Sequence, residues 1–100
     1  MKKSLFTVRK RKHSKHPQVI VDADRTRFSS MSLTHSHGDR KHRNIRLKDN
    51  PNANDKKNAY ISRRIIRDFK FNFSRAFKNY KLSNDDINNL IKFLQSKKKK

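Results

Sequence analysis

The charge balance constrains this chain more than any other property. Lysine and arginine number 28 while the only acids are eight aspartates, so 100 residues carry a formal charge of +20. Such a chain repels itself, and it compacts only where apolar burial outweighs the repulsion or a polyanion neutralises it. Hydrophobic residues make up 31%, enough for one modest core and not for two. A domain this small buries about two-thirds of the surface its unfolded chain exposes, so a partner or a dimer adds materially to its stability. The chain therefore reads as a single domain over residues 1–96 with a disordered lysine tail at 97–100.

Several function classes drop out. Without cysteine there is no disulfide framework and no thiolate zinc site, which fits a reducing, cytoplasmic compartment. No apolar run approaches the ~20 residues of a membrane span. Met1 to Phe6 begins like the charged start of a signal peptide but lacks the apolar stretch that follows one, so export by that route is not expected. One glycine is too few for phosphate-loop or dinucleotide fingerprints, and no cofactor is expected. With Asp85 and Asp86 at a helix start, no carboxylate pair is evident for glycosidase or two-metal chemistry. His35, His37 and His42 share one loop, but Arg40, Lys41 and Arg43 beside them repel a cation, so no metal is expected either.

Hydrophobic periodicity divides the rest. Ser4-Leu5-Phe6-Thr7-Val8 has the composition of a short strand with a basic end. After Pro17, Gln18-Val19-Ile20-Val21 reads as a buried strand, Asp22 to Arg25 as a hairpin turn, and Phe28 to Thr34 as a half-buried strand with period two. A polar loop, 35–42, precedes a short strand at Asn44 to Leu47, and 48–55 is an Asx-rich loop. Ala59 to Ile66 and the alternating Phe69, Phe71 and Phe73 predict two strands or one long bent strand, with Arg63 breaking the alternation. Ile87, Leu90, Ile91 and Leu94 keep helical spacing after Ser83, which predicts a helix over 83–96 capped by Ser83. The fold class is mainly β with a C-terminal α-helix: a small barrel or a strongly curled antiparallel sheet.

The surplus charge points to nucleic acid, because each cation placed on a phosphate releases condensed counterions. Biased base composition would also enrich lysine and asparagine, but it would not favour the arginines that alternate along the predicted strands. The cations expected to bind nucleic acid are Arg9, Arg11, Lys12, Lys15, Arg25, Arg40, Lys41, Arg43, Arg46, Arg63, Arg64 and Arg67. Phenylalanines at spacing two are more often core than base-stacking platforms, so Phe69, Phe71 and Phe73 are expected inside.

The order of these elements resembles the MazF/PemK family of toxin-type endoribonucleases over about residues 4 to 95. The likeness rests on Lys15-His16-Pro17-Gln18-Val19-Ile20-Val21, Ser32-Leu33-Thr34-His35, Ile45-Arg46-Leu47 and the capped helix after Tyr80-Lys81-Leu82-Ser83. It implies an SH3-like β-barrel, dimerisation and metal-independent cleavage of single-stranded RNA. It places the catalytic basic residue at His16, where the family usually has arginine, and a strand-closing threonine at Thr34. Histidine suits acid–base work at neutral pH, so His16 would act as base or acid, His35 or His37 would take the complementary step, and Arg43 or Arg25 would hold the phosphate. An inhibitory protein partner would be acidic. Two other readings remain: a non-catalytic phage or plasmid accessory protein that blocks or recruits a ribonucleoprotein or nuclease complex, and a ribosome-associated protein whose basic ends order on RNA.

Overall fold

The structure, a computed structural model, describes residues 5–38 and 43–98. Five antiparallel strands form one sheet: β1 Val8–Arg9, β2 Gln18–Ala23, β3 Arg27–Thr34, β4 Ile45–Arg46 and β5 Tyr60–Phe69, in the order β1-β2-β3-β5-β4. A 3₁₀ turn, Lys70–Asn72, follows β5, and helix α1, Asn84–Lys98, ends the described chain. This is the mainly β architecture with a C-terminal helix that the periodicity predicts, but the sheet is open and no barrel closes. Among the described residues no ladder joins the outer strands. The return segment instead bonds β1 on one side, through Phe77 N–H to Val8 O (2.8 Å) and Ser74 N–H to Lys10 O (2.7 Å), and the loop after β4 on the other, through Lys81 N–H to Pro51 O (2.9 Å). Outer strands of two residues each are too short to form a closing ladder, and the return segment shields the β1 edge. Among the described residues no helix is long and apolar enough to cross a membrane.

Alternation along the strands separates two faces. Val8, Val19, Met31, Leu33 and Ile61 point to one side, where Leu82 and Leu90 close the main core. On the other side Ile20 and Phe28 are buried, with the Phe28 ring against the edge of Phe73 (5.3 Å) and beneath the Arg9 guanidinium (5.0 Å). Helix α1 begins as its sequence dictates: Ser83 Oγ accepts the Asp86 N–H at 3.2 Å, and Asp86, 1% exposed, reaches beyond the helix to accept the backbone N–H groups of Lys48 (2.8 Å) and Asp49 (3.2 Å). One carboxylate thus fastens the helix start to the loop that follows β4.

Other expectations need correction. The first strand pairs regularly only from Val8, because Phe6 adopts φ 62°, a left-handed conformation that no extended strand accommodates. The segment 59–73 forms one strand followed by the 3₁₀ turn. Its alternation breaks at Arg63 because β5 spends Ser62, Arg63 and Arg64 opposite the single residue Ser32, between the pairs Met31–Ile65 and Leu33–Ile61. Phe69 and Phe71 are not core: they are 40% and 75% exposed, since the chain turns after Phe69 instead of continuing the pleat. The helix runs to Lys98, so Lys97 and Lys98, placed in the expected tail, continue it. Residues 99 and 100 lie outside the described residues.

Candidate functional site

A cleft of about 240 Å³ opens at the end of the sheet where β2 begins and β3 finishes. Its walls carry Lys15, His16, Thr34, His35, Asp55 and Tyr80, with Leu33 and Ala59 as apolar floor. Pro17 has no N–H, but its carbonyl accepts the Leu33 N–H at 2.8 Å, which brings the His16-Pro17 entry beside the Thr34-His35 exit. Gln18 fixes this entry from below. Its side chain, in a residue 1% exposed, donates to His16 O (3.2 Å) and Ser32 Oγ (2.9 Å) and accepts from Ser30 Oγ (2.9 Å), so a fully satisfied buried network supports His16.

The opposite wall is the Asx-rich loop. Successive side chains bond the backbone two residues on: Asn50 to Asn52 (2.9 Å), Asn52 to Asn54 (3.1 Å) and Asp55 to Lys57 (3.0 Å). These local turns need no regular secondary structure to order the chain. They aim Asp55 Oδ2 at His35 Nε2, 2.5 Å away. The Lys57 N–H, and then His35, hold the Asp55 carboxyl below its ordinary value of 3.8. An ionised Asp55 only accepts, so Nε2 of His35 carries the proton and Nδ1 remains to take or give another. Tyr80 reaches the same cleft with its hydroxyl 3.4 Å from Asn52 Nδ2, and Thr34 Oγ1 accepts the Ser36 N–H at 3.2 Å while keeping its own proton to donate.

Of the residues expected to do chemistry, His16, Thr34 and His35 converge here. His37 does not; it lies edge-on to Tyr60, with ring centroids 6.4 Å apart. Neither Arg43 nor Arg25, one of which was expected to hold the phosphate, lines the cleft. Arg25 lies in the β2–β3 turn, roughly 20 Å away along β3 at the rise of an extended strand. Lys15 is the cation in place. Asp55 and Tyr80 were not singled out from sequence as partners of this chemistry; the repeated Asx spacing around Asp55 is the one signal that could have drawn attention to it.

The basic residues divide by environment. Arg9 lies over Phe28 and donates to Ser74 O (3.2 Å), and burial lowers its pKa. Arg11 pairs with Asp68 at 2.8 Å, Arg67 with Asp24, and Arg63 donates to Arg43 O (2.8 Å) while covering the Phe93 ring (5.5 Å). Those four, expected on nucleic acid, also make contacts within the fold. Lys12, Lys15, Arg25, Arg43, Arg46 and Arg64 are exposed, whereas Arg40 and Lys41 lie outside the described residues, as does His42. Among the described residues no three His, Cys, Asp or Glu side chains are placed to share a metal ion. No protein-family model matches the chain, and neither a curated protein nor a solved structure matches it.

Proposed function

We propose that the protein binds single-stranded RNA and cleaves it as a metal-independent endoribonuclease of the MazF/PemK type, acting in the cytoplasm. The observation that carries this reading is the convergence of His16, Thr34 and the His35–Asp55 pair on one cleft beside Lys15. Transesterification needs these parts. A base takes the proton from the ribose 2′-hydroxyl, whose oxygen attacks the adjacent phosphorus. The bond from phosphorus to the 5′-oxygen breaks, an acid protonates that oxygen, and the products are a 2′,3′-cyclic phosphate and a free 5′-hydroxyl. His35, oriented by Asp55, serves as the base and His16 as the acid, and the Lys15 ammonium and Thr34 hydroxyl donate to the phosphate oxygens as charge builds on them. Histidine where this family usually carries arginine changes which group supplies the leaving-group proton, not the kind of reaction.

The surplus of +20 supplies affinity. It also implies that a protein regulating this activity is acidic. The test is incubation with single-stranded RNA in EDTA, scored for both retention and fragments. Fragments ending in cyclic phosphate, lost in His16→Ala and His35→Ala, support the proposal. Retention without fragments would assign a non-catalytic RNA-binding protein, such as a phage or plasmid accessory protein or a ribosome-associated one.

A further inference from the structure

Among the described residues Phe71 is the most exposed of the large apolar side chains, at 75%, and it does not stand alone. Its ring is stacked on Phe69 with centroids 5.2 Å apart and planes 7° from parallel, and the Arg27 guanidinium lies 4.7 Å from the Phe69 centroid. Beside Phe71 runs a groove of about 250 Å³ walled by Lys10, Lys12, Asn72, Phe73 and Ser74. The backbone here is held tightly: Lys70 N–H bonds Thr26 O (2.8 Å), Phe73 N–H bonds Lys70 O (3.0 Å) and Lys12 N–H bonds Asn72 O (2.8 Å).

The Asn72 amide nitrogen and the Ser74 hydroxyl of the groove are already committed. Asn72 Nδ2 donates to Asp68 Oδ1 (2.9 Å), and Ser74 Oγ accepts the Lys10 N–H (2.9 Å) while donating to Arg75 O (2.9 Å). The nearby carboxylate, Asp68, is occupied by Arg11, Asn72 and its neighbour's N–H. Among the described residues no ion pair engages Lys10 or Lys12. Beside the Asn72 side-chain oxygen, the groove offers an open aromatic face and two ammonium groups, the complement of a flat ring joined to an anionic linkage.

We infer that Phe71 and the groove beside it form a stacking subsite for an unpaired base of single-stranded RNA, with Lys10 and Lys12 on the flanking phosphates. This rests on the nucleic-acid reading above and adds a second contact to it, remote from the cleft. A base on Phe71 continues the stack of Phe69 and Phe71, and a platform ordered before binding loses little entropy when it is used. The segment 10–16 connects the two sites. From Lys12 to His16 is four residues, at most about 14 Å of chain, so a strand entering over Phe71 passes Lys12 and Lys15 before it reaches His16.

The test is fluorescence anisotropy with a labelled single-stranded RNA, its DNA counterpart and a duplex, at several salt concentrations, using wild type, Phe71→Ala, Phe71→Trp and the double variant Lys10→Ala/Lys12→Ala. Phe71→Ala should weaken single-strand binding roughly 5- to 100-fold with an unchanged salt slope, since stacking and not charge is lost. Phe71→Trp should retain affinity, and its fluorescence should be quenched by the single strand. The lysine variant should flatten the salt slope. DNA should depend on Phe71 as RNA does, because stacking does not read the 2′-hydroxyl, whereas the duplex should be indifferent to Phe71. Tight single-strand binding that ignores both Phe71 variants overturns the subsite and leaves the proposed function standing. Phe71-dependent binding without any fragments does the reverse, and a wild type that holds no single strand at low salt overturns both.

Discussion

Asp86 offers the sharpest test of how this small sheet holds its cleft together. Replacing it with alanine removes a carboxylate that accepts the Lys48 and Asp49 N–H groups and the Ser83 hydroxyl, at 2.8, 3.2 and 3.0 Å. A hydrogen bond to a charged group contributes about 1.5–3 kcal/mol when its donor is shielded from water. Lys48 and Asp49 are exposed residues, so water recovers much of the loss at their amides, and the net cost comes to roughly 2–4 kcal/mol. For a domain of this length that corresponds to a fall in Tm of roughly 10–25 °C. Ser83→Ala removes the helix cap and leaves the brace, for about 1 kcal/mol. Asp85→Ala deletes the same charge as Asp86→Ala from an exposed position, where among the described residues the carboxylate pairs with Lys48 Nζ, and should scarcely move Tm. Thermal melts followed by circular dichroism give the order, and amide hydrogen exchange at Lys48 and Asp49 locates the effect. If Asp86→Ala costs no more than Ser83→Ala, the carboxylate is only a capping group and the tie between helix and loop carries no energy. Because that loop continues into Asn50 and Asp55, loss of the brace should also lower RNA cleavage.

Further predictions concern the cleft and the charge. Asp55→Asn should reduce cleavage by one to several orders of magnitude while leaving RNA retention nearly intact, measured under single-turnover conditions; full activity in that variant would remove Asp55 from the machinery. Raising salt from low to moderate concentration should increase Tm, since screening relieves the repulsion of +20, and weaken RNA binding along a straight line in log–log form; opposite signs for the two effects distinguish self-repulsion from a specific ion requirement. Asp24, Asp55, Asp68 and Asp85 all have carboxyls held below their ordinary 3.8, so they stabilise the fold above about pH 4 and that contribution is lost as pH falls through their folded values. Lys48 is shifted upward by Asp85, so its contribution is present at neutral pH and lost only as strongly alkaline pH is reached. Melts across the pH range should show a plateau through neutrality and a steep acid edge. In the core, Ile61→Ala should cost about 2–5 kcal/mol, read from urea titration, as the side chain is wholly buried between Leu33 and Ile45.

Local chemistry made several features legible in the chain alone. Helix α1 was readable because spacing, capping and terminal charge all act within a few residues. The hairpin of β2 and β3 was readable because Asp24 closes its own turn, accepting the Thr26 and Arg27 N–H groups at 2.9 and 2.7 Å. The roles of His16 and Thr34 came from a family resemblance and that of His35 from acid–base chemistry; the Pro17–Leu33 hydrogen bond sets the two segments side by side.

Tertiary structure alone decided the rest, for reasons of distance along the chain. His35 and Asp55 are separated by 20 residues, and no local pattern states that they meet. Whether an arginine faces phosphate or closes an internal contact depends on what lies opposite: Arg11 finds Asp68 across 57 residues and Arg67 finds Asp24 across 43. Alternation predicts that Phe69 and Phe71 share a face, but only the turn after β5 determines that the face is open to water. By itself the sequence settled charge, the C-terminal helix and the mainly β class, which are sums over neighbours; strand ends, pairing, exposure and the making of a cleft belong to contacts between segments that the chain brings together only on folding.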